Sequence, residues 1–145
     1  MSKSNDFALI NSSGFSNLKV KVALNENAKR TGLMDIKEIS GYNGILFLYE
    51  NAKIVNIWMK NTYIALDIIF INENYEVSSI KKGIPKSLNL VSSDEKVIAI
   101  LEIPYGCGEK LNIMRGSKID WMLKKASDIK NIQYYHCLEE KEKIE

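Results

Sequence analysis

The 145-residue chain carries one histidine and two cysteines. A zinc site of the usual kind draws on several His or Cys ligands, so a histidine-rich metal centre is excluded. The lone His136 sits in the C-terminal segment, which argues against a Ser-His-Asp triad around residue 58. Cys107 and Cys137 match no zinc or redox spacing, and they read as two reduced thiols. Charge of one sign is scarce as well. Twenty Lys and Arg face 18 Asp and Glu, a net charge of +2, and the run Glu139-Glu140-Lys141-Glu142-Lys143 mixes both signs. With no basic motif interleaved with aromatics, nucleic acid is not an expected partner. No apolar run has the length of a bilayer span, because the longest, residues 64–71, is interrupted by Asp67. The start, Met1-Ser2-Lys3-Ser4-Asn5-Asp6, has no apolar signal core, so the expectation is a cytoplasmic chain without membrane contact. No pattern calls for a cofactor.

Short strands and turns fill the chain instead. Leu18, Val20 and Val22 alternate with Lys19 and Lys21, the pattern of a half-buried strand. Asn25 is placed to cap a short helix through Arg30, and Gly32 to end it. Residues 45–49, 54–60, 66–71, 76–80 and 97–103 read as strands, with Asn72-Glu73-Asn74 as a hairpin turn. Residues 81–94 read as a polar loop. Residues 104–113 read as a turn and short helix, and 118–122 as a last strand with Ile119 and Trp121 on one face. The segment after residue 122 fits helix or strand. Turns recurring every ten residues or so, without long helical periods, predict a mainly β single domain, a sandwich or barrel-like fold with one or two short helices. The expected layout is an N-terminal arm or short first strand over residues 1–16, a β domain over 17–122 and an extension over 123–145. Met34, Met59, Met114 and Met122 read as core fillers.

Five segments, in order and spacing, resemble the domain-of-unknown-function 192 family: Arg30-Thr31-Gly32-Leu33-Met34, Gly44-Ile45-Leu46-Phe47, Trp58-Met59-Lys60-Asn61-Thr62, Leu66-Asp67-Ile68-Ile69-Phe70-Ile71, and Leu101-Glu102-Ile103-Pro104-Tyr105-Gly106. The match runs from about Val20 to about Trp121. The resemblance implies a compact, mostly β domain with a short early helix and no established activity. Ala65 stands where the family usually has proline, and Ser117 where it commonly has aspartate.

The densest polar cluster in an apolar setting is Trp58, Lys60, Asn61 and, a few residues on, Asp67. Buried polar groups need partners or cost free energy, so such a cluster marks a place on the fold. If residues 54–60 and 66–71 form a hairpin, Trp58 lies across from Asp67, and Trp58, Lys60 and Asp67 share one face. Trp58 would be an apolar wall, Lys60 an anchor for an anion or carbonyl, Asn61 a hydrogen-bond donor, and Asp67 an acceptor or base. Glu102, on the strand face opposite Leu101, reaches the same site or is solvated. The structural alternative has Asp67 pairing with Lys60 and accepting backbone N–H bonds that pin the turn. Cys107 reads as a nucleophile near a helix start or as a plain small residue; Asp94, Glu95 and Glu73 read as divalent-ion ligands or as solvated acids.

Three functions follow. The first is binding of a small molecule or peptide at the Trp58/Lys60/Asp67 face. The second is an assembly role, in a complex such as a virion or by self-association, through residues 123–145 with Tyr134, Tyr135 and Leu138. The third is a hydrolase-like enzyme with Asp67 or Glu102 as base and Lys60 as electrostatic stabiliser.

Overall fold

The computed structural model describes residues 6–132 and 135–137. Its frame is a curled seven-stranded sheet, a half-barrel, beside a small two-stranded sheet. The strands are β1 (Phe7–Ser12), β2 (Phe15–Ala23), β3 (Ile45–Lys53), β4 (Asn56–Trp58), β5 (Leu66–Ile71), β6 (Val77–Gly83), β7 (Leu90–Ser92), β8 (Val97–Pro104) and β9 (Asp120–Lys124). Two short helices, α1 (Glu26–Thr31) and α2 (Cys107–Lys110), and a 3-10 turn over Ala126–Ile129 complete the described elements. The large sheet runs β6-β5-β8-β3-β2-β1-β9, and β4 pairs with β7. The mainly β architecture with short helices is the one the turn spacing predicts.

Strand β5 is buried at every position, as expected for a near-continuous apolar run at the centre of a sheet covered on both sides. Alternate residues divide the core. Ile69, Ile71, Leu101, Ile103, Leu46, Leu18 and Val20 pack on one face with α2 and Ile119. Ile68, Phe70, Ile100, Ile45 and Phe47 pack on the other with Leu33, Ile39 and Met59. The β2–β3 pair is parallel, so the chain must cross over between them, and α1 with the following turns makes that crossing. Asn25 Oδ1 accepts from the Ala28 N–H at 2.8 Å at the start of α1, and Gly32, at φ +47°, ends it, as expected. Gly44 opens β3, where a Cβ would collide with the backbone carbonyl of Glu102; only glycine lets these two strands approach so closely.

Several expectations are corrected. The reading of a first strand rather than an arm holds for residues 7–12, since β1 lies between β2 and β9. The stretch read as polar loop contains the end of β6 and all of β7. Met114 and Met122 are exposed rather than core fillers, whereas Met59 is buried. Cys107 and Cys137 are joined by a disulfide, with Cα atoms 6.0 Å apart, and are not free thiols. Spacing alone could not show this, because the pairing depends on the tail folding back. Tyr135 bridges to Leu18, and Asn43 brackets the tail, donating to the Tyr135 carbonyl at 3.0 Å and accepting from the Cys137 N–H at 3.0 Å. Disulfides persist chiefly in oxidising compartments, which is at odds with the cytoplasmic expectation.

Candidate functional site

The expected hairpin between residues 54–60 and β5 does not form. Strand β5 already has β6 on one side and β8 on the other, so no edge is left for β4. Strand β4 pairs with β7 instead, Trp58 opposite Leu90, and the Trp58 indole N–H donates to the Leu88 carbonyl at 2.8 Å. Lys60 does stay with Trp58, its Nζ 5.2 Å from the ring centroid. Asn61 takes a left-handed conformation, φ +59°, and its backbone carbonyl accepts from the Asp35 N–H.

Asp67 goes elsewhere. Its place in β5 shares parity with Ile69 and Ile71, so its side chain faces the α2 side of the sheet. There Oδ2 accepts from the Gly106 N–H at 3.0 Å and the Gly108 N–H at 2.9 Å. The common face proposed for Trp58, Lys60 and Asp67 is therefore absent. Asp67 is an acceptor of backbone N–H bonds, as the structural alternative held, but at the start of α2 rather than at the turn after β4. It forms no ion pair with Lys60 among the described residues.

Glu102 shares parity with Ile100, so it points to the side of the sheet that α1 and β4 cover. The two coverings leave a cleft of about 440 Å³ between them, with Glu102 among its lining residues. The residue is only 4% exposed and takes no hydrogen bond or ion pair among the described residues, yet its oxygens stay open to the cleft; the sealed side-chain polar atom without a partner among the described residues is Ser79 Oγ. Burial pushes the carboxyl up to about 8, so it is mostly protonated at neutral pH and presents an O–H.

The rest of the cleft is apolar and cationic. Trp58, Phe47, Leu33 and Met59 line it with α1 residues Lys29 and Arg30. Tyr49 and Lys53 join from β3. The Lys29 and Lys53 ammonium groups lie over the Tyr49 ring, 4.1 and 5.1 Å from its centroid. Burial first, then the Glu102 and Glu26 carboxyls, push the Tyr49 hydroxyl up to about 12, so it too remains a donor. Lys29 also approaches Glu26 at 3.8 Å. Arg30 has no ion pair among the described residues. Of the residues proposed from sequence, Trp58 and Glu102 meet at this cleft, while Lys60, Asn61 and Asp67 do not line it.

The other candidate chemistry is accounted for. The disulfide removes Cys107 as a nucleophile. Asp94 pairs with Lys81 at 2.6 Å and Glu95 with Arg115 at 4.0 Å, and no set of three metal-ligating side chains occurs among the described residues. Lys60 does not line the cleft with Glu102, and Asp67 faces the α2 side of the sheet, so Lys60 stands beside neither of the two proposed bases. Tyr135 is engaged with its own domain, and Tyr134 and Leu138 lie outside the described residues. No helix among the described residues is long and apolar enough to cross a membrane.

The family model DUF192, an uncharacterised group described as Uncharacterized ACR, matches residues 8–121. The chain belongs to this family. The match extends the five-segment resemblance back through β1. Two crystal structures are similar. One, from Sinorhizobium meliloti 1021, is described as a proposed transcription regulator; it is 27% identical over 83% of this chain and 96% of its own, with a TM-score of 0.73. The other, a protein of unknown function from Novosphingobium aromaticivorans DSM 12444, is 26% identical over 79% of this chain and 84% of its own, with a TM-score of 0.70. No curated protein matches in sequence.

The fold explains why the DUF192 segments recur together. Residues 30–34, Phe47 of the second segment, Trp58, Met59 and Thr62 of the third, and Glu102 of the fifth all line the one cleft. The fourth segment is β5, which packs against the wall through Leu66 and Ile68 and sends Asp67 to the opposite face. Sequence reasoning missed Arg30, Lys29, Tyr49 and Lys53 as cleft residues. Arg30 was inside a quoted segment and Tyr49 closes an apolar strand, but nothing local showed that the two meet.

Proposed function

We propose that the protein binds a small ligand in the cleft between α1, β3 and β4, with Trp58 as a fixed aromatic wall and Glu102 as the polar contact inside. The observation that carries this reading is the Glu102 carboxyl. It is buried, it has no partner among the described residues, and it lines a cavity of ligand size. The carboxyl oxygens are not among the sealed, unpartnered polar atoms of the described residues; they open on the cleft, where a ligand can reach them. Trp58 supports the reading from the other wall. The residue is 47% exposed although its N–H is tied down, so it offers apolar surface without needing to be ordered on binding.

The test is a thermal-shift screen of a metabolite panel against the full chain with its disulfide intact. A ligand at about 100 times its Kd adds about 2.7 kcal/mol to stability, a rise on the order of 10 °C in a domain of this size. The same compounds should lose most of their effect on Trp58→Ala, which alters an exposed side chain on the small sheet. Compounds that stabilise wild type and Trp58→Ala equally would place binding elsewhere and refute the cleft.

A further inference from the structure

The cleft has a chemical bias that narrows what it takes. Its cations outnumber its carboxylates, while Thr31, Asn56 and Thr62 add hydroxyl and amide groups that donate or accept. Arg30, Lys29 and Lys53 are cationic, the Tyr49 hydroxyl keeps its proton, and Glu102 has no cation paired to it among the described residues. The one carboxylate on α1 in the lining, Glu26, is already approached by Lys29. Arg30 is exposed and free of ion pairs among the described residues, whereas Lys29 and Lys53 are laid over the Tyr49 ring. A guanidinium offers a planar fork that matches a carboxylate with two parallel bonds. The same lining carries aromatic and aliphatic surface from Trp58, Phe47 and Leu33.

Resting on the ligand-cleft reading, we infer that the ligand is a small organic acid with an aromatic or branched apolar body, its carboxylate held by Arg30 and a second oxygen reaching the Glu102 carboxyl. The two polar ends of the cleft then serve the two oxygen-bearing ends of one molecule. An amine in place of the acid meets three cations and one engaged carboxylate on its way in. The groups facing Glu102 are Tyr49 and Lys53 on β3 and Glu26, Lys29 and Arg30 on α1. The facing position on β5, Ile68, adds no charge.

Three probes that share a hydroxyphenyl body and differ only in the terminal group test this by calorimetry at pH 7: 4-hydroxyphenylacetate (anionic), tyrosol (neutral) and tyramine (cationic). The anion is expected to bind at least about tenfold tighter than tyrosol, since a hydrogen bond to a charged group contributes that much or more, and tyramine weakest of the three. Arg30→Gln, a change at an exposed helical position, should bring the anion's affinity down to that of tyrosol and leave tyrosol unchanged. Raising salt from 50 to 500 mM should weaken the anion alone. Tightest binding by tyramine, equal binding of all three, no binding of any, or an anion preference that survives Arg30→Gln would each overturn the organic-acid assignment. None of these results touches the cleft reading itself, which stands or falls on the metabolite panel and Trp58→Ala.

Discussion

Replacing Glu102 by glutamine should remove a large part of the protein's loss of stability between mildly acid and mildly alkaline pH. The carboxyl is raised by burial from its usual 4.5 to about 8 in the folded chain. Below pH 4.5 it is protonated in both states, and folding involves no transfer of its proton. Between the two values the unfolded chain has released the proton and the folded chain has kept it. The native state then binds more protons than the unfolded one, and stability falls by about 1.4 kcal/mol per pH unit. Above about 8 the group is ionised in both states and the loss is complete. Over the whole window it amounts to roughly 4–5 kcal/mol, a substantial share of the 5–15 kcal/mol typical of a domain. Glutamine keeps the shape and an N–H donor but does not titrate. The assay is urea unfolding of both proteins, disulfide intact, at intervals from pH 5 to pH 9. Every other titrating group is common to the two, so the difference between them isolates residue 102. It should shift in favour of the glutamine variant as pH rises from 5 and level off near pH 8.5. Stability curves that stay parallel across this range would refute the reasoning, because Glu102 would then ionise in the folded state much as it does in water.

Two further outcomes follow from the opposite side of the sheet. Asp67→Ala should destabilise the domain by roughly 2–5 kcal/mol, since it leaves the Gly106 and Gly108 N–H groups without their acceptor. Asp67→Asn should cost clearly less, and neither should change binding of a cleft ligand relative to its effect on wild type; urea midpoints and calorimetry read the two separately. Cys137→Ser should lower stability by about 3–4 kcal/mol, the loop-entropy value for a closure of this length. Reduction of the wild type should reproduce that loss, and two thiols titrating in the unreduced protein would show that the pair is not bonded.

What the sequence made legible was local. The alternation at residues 18–22, the unbroken apolar run of β5, and the Asn25 and Gly32 limits of α1 each follow from side-chain period or cap chemistry, and each is observed. The ordered segments identified the family. The side of β8 from which Glu102 projects was also readable, since it alternates with Leu101. What stayed hidden was which strand lies beside which. The pairing of β4 with β7 joins segments more than thirty residues apart, and the closure of β1 on β9 more than a hundred. Trp58 and Asp67 were placed together only because a turn stood between them. A turn brings its flanking strands together only when an edge is free, and β5 has none. The same limit hid the disulfide, and it hid Arg30 and Tyr49, which α1 and β3 bring to Glu102 from separate parts of the chain.

The two buried carboxyls make the strongest case for where function lies. Asp67 pairs in register with Ile103, and Glu102 with Ile68, so the two acids occupy neighbouring positions on adjacent strands and point to opposite faces. Their surroundings differ in one decisive respect. Asp67 meets two backbone N–H groups that need an acceptor, and removing it would leave both unsatisfied. Its presence is explained by folding alone. Glu102 meets no such groups among the described residues; it opens on a cleft whose lining is part apolar and part charged. A carboxyl without a partner among the described residues, where four separated family segments converge, is the reason the proposed ligand site is placed here. The proposed ligand would partner that carboxyl, and the metabolite panel with Trp58→Ala tests it.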